Sequence, residues 1–265
     1  MTGPPHRTAL VRSPSPRMAE GLVTHIERTP ADADLARRQW DGYVAALREH
    51  GWTTLEVEPA DDCPDAAFVE DTVVMYGDLA VLALPGAPQR RPETAGTEFV
   101  LRDLGYEVAR IAAPGTLDGG DVLKHGRDVW VGLGGRTNTA ALDQLAALLE
   151  PRGARVHGVP LTKVLHLKSA VTALPDGTVL VHPPLHEDTF AWTDVLEVPE
   201  EPGSHVVVLD EETVLMSAAA PRTAALLRDR GLRVVAVDIS EFEKLEGCVT
   251  CLSVRLREAP GQPAG

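Results

Sequence analysis

The amino-acid sequence predicts an α/β fold in which a unit of roughly 50 residues is repeated around a closed ring. An amphipathic helix, a glycine and an alternating strand follow one another at Gly51, Gly105, Gly153 and Gly231. Further short apolar stretches, joined in pairs by polar turns, stand before most of these helices. Because one such unit cannot bury its apolar face alone, its neighbours must cover it. The repeat therefore favours a radial array of strand–strand–helix–strand units over a doubly wound sheet.

The helices of this unit have recognisable starts and ends. Three segments are typical of helix starts: Arg90-Arg91-Pro92-Glu93-Thr94, Arg136-Thr137 and Arg222-Thr223. At the other end, the glycine occupies the position just beyond the helix, where a left-handed backbone is favoured. The paired strands are predicted within residues 68–84, 122–133 and 206–216.

The stretch 172–198 is a weaker copy of the unit. Pro175-Asp176-Gly177 predicts a hairpin turn, and residues 188–192 are its only helix candidate. With this copy the ring has five units. The sequence contains no GxGxxG motif opening a helix and no Walker loop, so it gives no support for nucleotide binding.

Composition limits the class of protein. The chain carries 25 Lys and Arg against 39 Asp and Glu, a formal charge of −14, which argues against nucleic acid or an anionic membrane as a partner. No apolar run reaches the ~18 residues of a membrane span, and the N-terminus lacks the features of a secretory signal. Three cysteines do not suit a disulfide scaffold and favour a cytoplasmic location. We expect one domain over residues 1–265, with a frayed tail at 258–265.

Cys251 is the first candidate for chemistry. It follows the bend at Gly247 and precedes alternating apolar and polar residues, 252–257, which predict a strand with one buried face. A thiol at that point can be aimed into a cleft. Two other interpretations compete: a small buried hydrophobe, or, because Cys248 completes a Cys-x-x-Cys pair, a redox or zinc motif.

Three further segments carry polar groups where apolar ones are expected. Glu70 and Asp71 interrupt an apolar strand, and burying them is costly without a partner. Asp118-Gly119-Gly120-Asp121 places two glycines between acids, so that a backbone can approach a ligand closely; two carboxylates are too few for calcium. His166 lies in an apolar stretch with Lys168 two residues later. Each has a structural alternative: a solvated edge strand, a plain turn and a core histidine.

Together a thiol, an imidazole and several acids make a cysteine–histidine catalytic set, with an acid to orient the imidazole. The surplus carboxylates then call for a cationic ligand. A planar guanidinium fits best, because its N–H groups match the geometry of a carboxylate.

At these residues the sequence resembles the dimethylarginine dimethylaminohydrolase family of the guanidine-modifying (pentein) superfamily. The resemblance covers nearly the whole chain and rests on six motifs in order: Pro64-Asp65-Ala66-Ala67-Phe68-Val69-Glu70-Asp71, Pro85-Gly86-Ala87-Pro88-Gln89-Arg90-Arg91, Leu117-Asp118-Gly119-Gly120-Asp121-Val122, Gly135-Arg136-Thr137-Asn138, Leu165-His166-Leu167-Lys168-Ser169 and Gly247-Cys248-Val249-Thr250-Cys251-Leu252-Ser253. It implies a five-bladed α/β-propeller of pseudo-symmetric units around a central active site, which agrees with the repeat.

The resemblance also implies roles. Cys251 is the nucleophile, His166 the general acid and base, and Asp118 the acid beside it. Substrate binding is implied for the following residues: Leu22, Asp65, Glu70, Asp71, Arg90, Arg136 and Leu245. The substrate is Nω,Nω-dimethyl-L-arginine or its monomethyl form, and the products are L-citrulline and dimethylamine or methylamine. A nearby imidazolium or the bound cation is expected to lower the pKa of the Cys251 thiol, and no metal or cofactor is expected.

Alternatives of the same fold remain open. Arginine and agmatine deiminases resemble one another in a His-x-Asp motif whose carboxylate holds the leaving nitrogen; here that position is Lys168, which favours a methylated nitrogen. A non-catalytic binding protein of this fold would leave the combination of Cys251, His166 and Asp118 without explanation. The oligomeric state is open, with a homodimer as the candidate. Cys248 departs from the family pattern, and we hypothesise that it can form a reversible disulfide with Cys251.

Overall fold

The computed structural model describes residues 7–182, 192 and 194–262. Its strands are, in chain order, β1 (Thr8–Val11), β2 (Thr53–Glu56), β3 (Val73–Tyr76), β4 (Leu79–Leu82), β5 (Glu107–Arg110), β6 (Val122–His125), β7 (Asp128–Leu133), β8 (Arg155–Pro160), β9 (Val171–Ala173), β10 (Val179–Val181), β11 (Val195–Glu197), β12 (Val206–Val208), β13 (Thr213–Ser217), β14 (Arg233–Val237) and β15 (Val254–Leu256). Its α-helices are α1 (Ala33–Glu49), α2 (Thr94–Asp103), α3 (Thr139–Leu149), α4 (Pro221–Asp229) and α5 (Ser240–Glu243). Over these ranges, no helix has the length and apolar character needed to cross a membrane.

The strands form five three-stranded sheets of one topology. In each, the middle strand pairs antiparallel with one neighbour and parallel with the other. Four units follow the chain as β3-β4-β5, β6-β7-β8, β9-β10-β11 and β12-β13-β14. The fifth joins β15 to β1 and β2. The predicted five-bladed α/β-propeller is confirmed. The short helix predicted at 188–192 lies outside the described residues except for Trp192.

Five apolar cores hold the ring together, and each is shared by two neighbouring units. Strand β3 shows how this works, since successive side chains of a strand point to opposite faces. Val74 and Tyr76 pack into the core shared with β6 and β7, whereas Val73 and Met75 pack into the core shared with β15 and β1. The inner strand is therefore apolar on both faces, and each unit depends on its neighbours for burial.

The predicted glycine stops are confirmed. Gly51, Gly105, Gly153 and Gly231 have φ angles of 81°, 88°, 93° and 90°, all in the left-handed region. An L-residue there would strain the backbone. Each glycine turns the chain from the helix into the outer strand of its unit.

Three predicted strand positions are wrong in detail. Glu70 and Asp71 lie in a 3-10 turn, Val69–Thr72, and β3 begins only after it. His166 precedes a 3-10 turn, Leu167–Ser169, and β15 begins three residues after Cys251. A buried polar backbone must find partners, and a turn lets its N–H groups reach a neighbouring unit instead of a strand ladder. The inner strands are therefore shorter than their apolar patterns suggest.

The start of the predicted frayed tail is held in place. The Tyr106 hydroxyl donates a hydrogen bond of 2.6 Å to the carbonyl of Glu258. This bond ties residue 258 to the end of α2 and its loop, so the expectation of fraying does not hold for that residue.

Candidate active site

Four turns meet at one end of the inner strands. The 3-10 turns Val69–Thr72, Gly119–Asp121 and Leu167–Ser169 lead into β3, β6 and β9, and a turn containing Cys251 leads into β15. Backbone N–H groups of one turn donate to the next in three places: Glu70 to the Cys251 carbonyl (3.1 Å), Gly120 to Asp71 Oδ1 (2.8 Å) and Leu167 to Asp121 Oδ1 (3.0 Å). Since each turn occupies the same place in its unit, the ring itself brings these distant segments together.

A narrow cavity opens beside these turns. Its lining consists of Leu22, Asp65, Phe68, Asp71, Arg90, Arg136, Leu165, His166, Leu245, Glu246, Gly247 and Cys251. All the site residues predicted from the sequence are in this lining except Asp118 and Glu70. The predicted nucleophile and the predicted acid–base residue thus share one cavity.

The His166 imidazole is buried among carboxylates. Its Nε2 lies 3.0 Å from Asp118 Oδ2, and its Nδ1 lies 3.9 Å from Asp71 Oδ1. Burial alone lowers the pKa of His166, but the charges of Asp71, Asp121 and Asp118 outweigh it and raise the pKa to about 9. The imidazole is therefore charged at neutral pH and can donate a proton.

Gly120 makes this arrangement possible. A Cβ atom at Gly120 would lie 2.7 Å from both His166 Nδ1 and Asp71 Oδ1. The backbone can therefore pass between the imidazole and the carboxylate only without a side chain. The sequence prediction of a close backbone approach at this pair of glycines is consistent with that contact.

Two buried acids support the imidazole from behind. Asp118 is fully buried and accepts the Gly86 N–H at 2.9 Å, with Arg136 Nη1 at 3.5 Å. Asp121 accepts the Thr137 hydroxyl at 2.6 Å and the N–H after His166 at 3.0 Å. Burial raises the pKa of Asp121 to about 6. Asp118 thus orients His166 directly, whereas Asp121 fixes the backbone beside it.

The segment around Leu22 lies over the cavity and is held by two carboxylates. Asp65 accepts the Leu22 N–H at 3.1 and 3.2 Å through its two oxygens. Glu246 accepts the N–H groups of Thr24 at 2.8 Å and His25 at 2.5 Å. The sequence prediction missed Glu246; its only signal was an acid between Leu245 and Gly247 just before the predicted nucleophile.

Arg90 and Arg136 differ in how far their donors are engaged. Arg90 is buried, with Nη1 2.6 Å from Asp71 Oδ2 and Nη2 2.8 Å from Glu93 Oε2. The charges of His166 and Arg90 overcome the effect of burial and lower the pKa of Asp71 to about 2. Arg90 therefore fixes Asp71 as an anion beside the cavity. Among the described residues, Arg136 makes one ion pair, of 3.5 Å with Asp118.

Glu70, expected to hold the guanidinium together with Asp71, is not among the residues that line this cavity, and its role toward a substrate stays a prediction. The Glu70 carboxylate lies 2.6 Å from Lys168 Nζ and 2.5 Å from Arg255 Nη2. It lines a separate axial cavity of about 300 Å³, enclosed by the inner strands. Adjacent residues of a 3-10 turn point in different directions, so two acids next to each other in sequence serve different partners. Arg255 also donates to the carbonyls of Thr250 and Ser253 at 2.9 and 2.6 Å, which steadies the turn around Cys251.

Cys251 is buried and contacts a second sulfur. Its Sγ lies 3.3 Å from Cys248 Sγ. The hydrogen bond with Cys248, together with burial and the nearby charges of Asp71 and Glu70, raises the pKa of Cys251 well above its ordinary value. The expectation that an imidazolium lowers this pKa in the free site is therefore wrong. A bound cation is the remaining cause that would favour the thiolate.

Comparisons with known proteins agree with this fold. A chain from Streptomyces coelicolor named N(G),N(G)-dimethylarginine dimethylaminohydrolase is 61% identical over 96% of this chain and 98% of its own length. The structure of the Pseudomonas aeruginosa enzyme of that family, a Cys-to-Ser variant complexed with citrulline, has a TM-score of 0.88 and 32% identity, covering 95% of this chain and 99% of its own. An adduct of a dimethylarginine dimethylaminohydrolase with S-methyl-L-thiocitrulline has a TM-score of 0.89 at 31% identity, over 95% of this chain and 100% of its own.

No protein-family model matches the chain. The family assignment rests on the relatives instead, because they are similar to this chain in sequence and in fold over nearly its full length. With the ring of five units and the cavity that contains Cys251 and His166, they show that the chain belongs to the dimethylarginine dimethylaminohydrolase family.

Proposed function

We propose that this chain hydrolyses Nω,Nω-dimethyl-L-arginine, and the monomethyl form, to L-citrulline and the corresponding amine. The observation that carries the proposal is that Cys251 and a charged His166 line one narrow cavity with Asp71. The citrulline complex of the Pseudomonas relative supports the identity of the product.

The cavity suits a substrate with a guanidinium at one end and an amino acid at the other. Asp71, anionic and fixed by Arg90, is placed to accept N–H groups of the guanidinium. Arg136 and Asp65 carry the opposite charges that a carboxylate and an ammonium group require. Leu22 and Leu245 line the same cavity, so we expect their backbones to contact the substrate as well.

The first half of the reaction forms a covalent bond to sulfur. The positive charge of the bound guanidinium lowers the pKa of the Cys251 thiol, whose proton leaves to solvent. The thiolate attacks the guanidinium carbon. His166 gives its proton to the departing dimethylamine, so the C–N bond breaks and an S-alkylthiouronium remains on Cys251.

The second half uses the same two side chains in reverse. His166 is now neutral and takes a proton from a water molecule that attacks the thiouronium carbon. The C–S bond breaks, the Cys251 thiolate is released and citrulline leaves. The three carboxylates around His166 stabilise its charged form at both ends of the cycle.

Lys168 bears on the choice between methylated and unmethylated substrates. Its Nζ pairs with Glu70 at 2.6 Å, in the axial cavity. Position 168 therefore supplies no carboxylate to accept a hydrogen bond from the leaving nitrogen. A dimethylated nitrogen does not need that acceptor, because in its neutral form it has no N–H to donate, so this feature supports a dimethylated substrate. An arginine or agmatine deiminase would need that acceptor.

Turnover of four substrates tests the proposed function. We expect citrulline from dimethylarginine with both methyl groups on one nitrogen and from monomethylarginine. Arginine should react at least about tenfold more slowly, since its leaving nitrogen lacks a hydrogen-bond acceptor worth roughly 1–2 kcal/mol. Symmetric dimethylarginine completes the panel. Arginine as the best substrate, or no citrulline from any of them, would refute the proposal.

The pH profile should report the charge on His166. With saturating dimethylarginine, whose charge favours the Cys251 thiolate, we expect kcat to fall as the pH rises and His166, with its raised pKa of about 9, loses its proton. Asp118→Asn removes a charge that raises this pKa. The decline of kcat at alkaline pH should therefore move to lower pH by roughly one to three units, measured at saturating substrate from pH 5 to 11.

Asp103→Asn is the matched control for this experiment, because Asp103 is an exposed acid at the end of α2. It should leave the limb in place. An alkaline limb that stays fixed in Asp118→Asn would show that another group controls it.

A homodimer and a cytoplasmic location stay predictions.

A further inference from the structure

The proposed mechanism leaves the Cys248 thiol unused, although it is one of the closest groups to the nucleophile. Cys248 Sγ lies 3.3 Å from Cys251 Sγ and 3.2 Å from Thr250 Oγ1, and both cysteines are buried. The described cysteines are all free thiols. A second sulfur packed against a nucleophilic sulfur needs a reason beyond filling space, because any small apolar residue could fill the same volume.

We propose that Cys248 is a resolving cysteine, which forms a reversible disulfide with Cys251 when a hydroperoxide oxidises the site. The disulfide would protect the nucleophile and stop turnover until a thiol reductant restores it. The loss of turnover rests on the proposed function; the bond itself does not.

The backbone already suits such a bond. The Cys251 N–H donates to the Cys248 carbonyl at 3.1 Å, so the two residues close a single turn. The Cα atoms at the ends of such a turn lie within about 7 Å, and disulfides span about 4.4–6.8 Å between Cα atoms. The sulfurs need to approach by roughly 1.3 Å to reach the bonded distance of about 2.0 Å. Side-chain rotation can supply that movement without refolding the turn.

The positions of the two sulfurs assign their order of reaction. Cys251 lines the cavity that takes the substrate, so a small hydroperoxide can reach it, whereas Cys248 is packed behind it. The two sulfurs share one proton, and when that proton lies on Cys248 the Cys251 sulfur is a thiolate. This thiolate attacks the peroxide oxygen, the O–O bond breaks, and Cys251 becomes a sulfenic acid as hydroxide (from hydrogen peroxide) leaves. The Cys248 sulfur then attacks the Cys251 sulfur. The S–S bond forms, the S–O bond breaks and, with one proton from the Cys248 thiol, water departs.

The surroundings favour this step over other uses of a Cys-x-x-Cys pair. The hydrogen bond between the sulfurs holds one proton on the pair and lowers the pKa of Cys248, so one sulfur of the pair is available as a thiolate. As Cys248 attacks the sulfenic acid, its sulfur takes on thiolate character and its proton passes to the departing hydroxyl. Within residues 7–182, 192 and 194–262, the one group of three or more side chains with metal-binding spacing is Asp71, Asp118 and His166, which includes neither sulfur. The pair therefore does not form half of a zinc site in the described protein.

Mass spectrometry of one tryptic peptide tests the proposal. Cleavage after Lys244 and Arg255 yields the peptide 245–255, which contains both cysteines. After treatment with hydrogen peroxide and alkylation, we expect a peptide two hydrogens lighter than the dithiol and without alkyl groups. Turnover of dimethylarginine should fall by roughly nine-tenths or more in parallel and return with dithiothreitol, since a disulfide is reducible.

Two variants sharpen the test. In Cys248→Ser the same treatment should give a loss that dithiothreitol does not reverse and a Cys251 sulfinic acid, because no thiol intercepts the sulfenic acid. Cys63→Ser, which removes a buried cysteine outside the cavity lining, should behave like the wild type. A wild-type peptide that stays a dithiol or goes directly to the sulfinic acid would overturn the proposal. The mass of the peptide 245–255 tests the disulfide without any need for turnover. A lack of dimethylarginine turnover would therefore refute the proposed function but not the disulfide.

Discussion

Replacing Cys251 by serine is expected to abolish citrulline release from dimethylarginine, by a factor of about 10⁴ or more. Serine has nearly the same size, but its hydroxyl does not ionise near neutral pH, and a bound cation cannot make it do so. Attack on the guanidinium carbon therefore stops before any intermediate forms. The measurement is citrulline release under saturating substrate, with equilibrium binding of dimethylarginine measured in parallel.

Binding separates a chemical effect from a structural one. We expect the Cys251→Ser variant to bind substrate within a few-fold of the wild type, because Asp71 and Arg136 are unchanged. Cys63→Ser is the matched control, since it alters a buried cysteine away from the cavity and should retain turnover. Full activity of Cys251→Ser would remove the covalent mechanism.

Replacing His166 by glycine should produce the second largest loss, roughly 10²- to 10⁴-fold in kcat. Dimethylamine cannot leave as an unprotonated anion, so the first half of the reaction stalls without the imidazolium. An isothiourea analogue, whose thiolate leaves without a proton, should still react with Cys251 in this variant. Its adduct should then accumulate, because no base activates the water, and intact-protein mass spectrometry would detect it.

The accumulated adduct is what distinguishes an acid–base role from a scaffolding role. If His166 only shaped the cavity, the analogue would react as poorly as dimethylarginine and no adduct would appear. His157→Ala is the matched control, because His157 is an exposed histidine of the outer strand β8, paired with Asp128 of β7. It should leave both turnover and adduct chemistry unchanged.

The features that follow from local chemistry were predictable from the sequence. A glycine after an amphipathic helix has one common use, so the four stops at Gly51, Gly105, Gly153 and Gly231 were placed correctly. The repeat of about 50 residues predicted the ring, because a unit that cannot bury its apolar face alone needs neighbours to cover it. The cavity residues were placed by resemblance to a family, and periodicity alone would not have found Leu22 or Leu245.

What depends on long-range partners could not be predicted. The sequence places Glu70 beside Asp71, but its direction depends on Lys168 and Arg255, which are remote in sequence and adjacent only in the ring. The pKa of Cys251 likewise depends on a contact with Cys248 and on burial that no local pattern reports. The pKa of a group in a shared cavity depends on the summed charges of several units, so it is determined only once the ring is assembled.

The pairing of β15 with β1 has a consequence for the timing of synthesis. A ribosome makes β1 among the first elements, but its antiparallel partner and the Cys251 turn emerge only after the other four units. Until then the two apolar cores that flank the fifth unit are incomplete. The His166 imidazole and its neighbouring acids also lack the Cys251 sulfur. Completion of the fold and the first capacity for catalysis therefore arrive as one event, and a nascent chain that stops before residue 251 is inert toward its substrate.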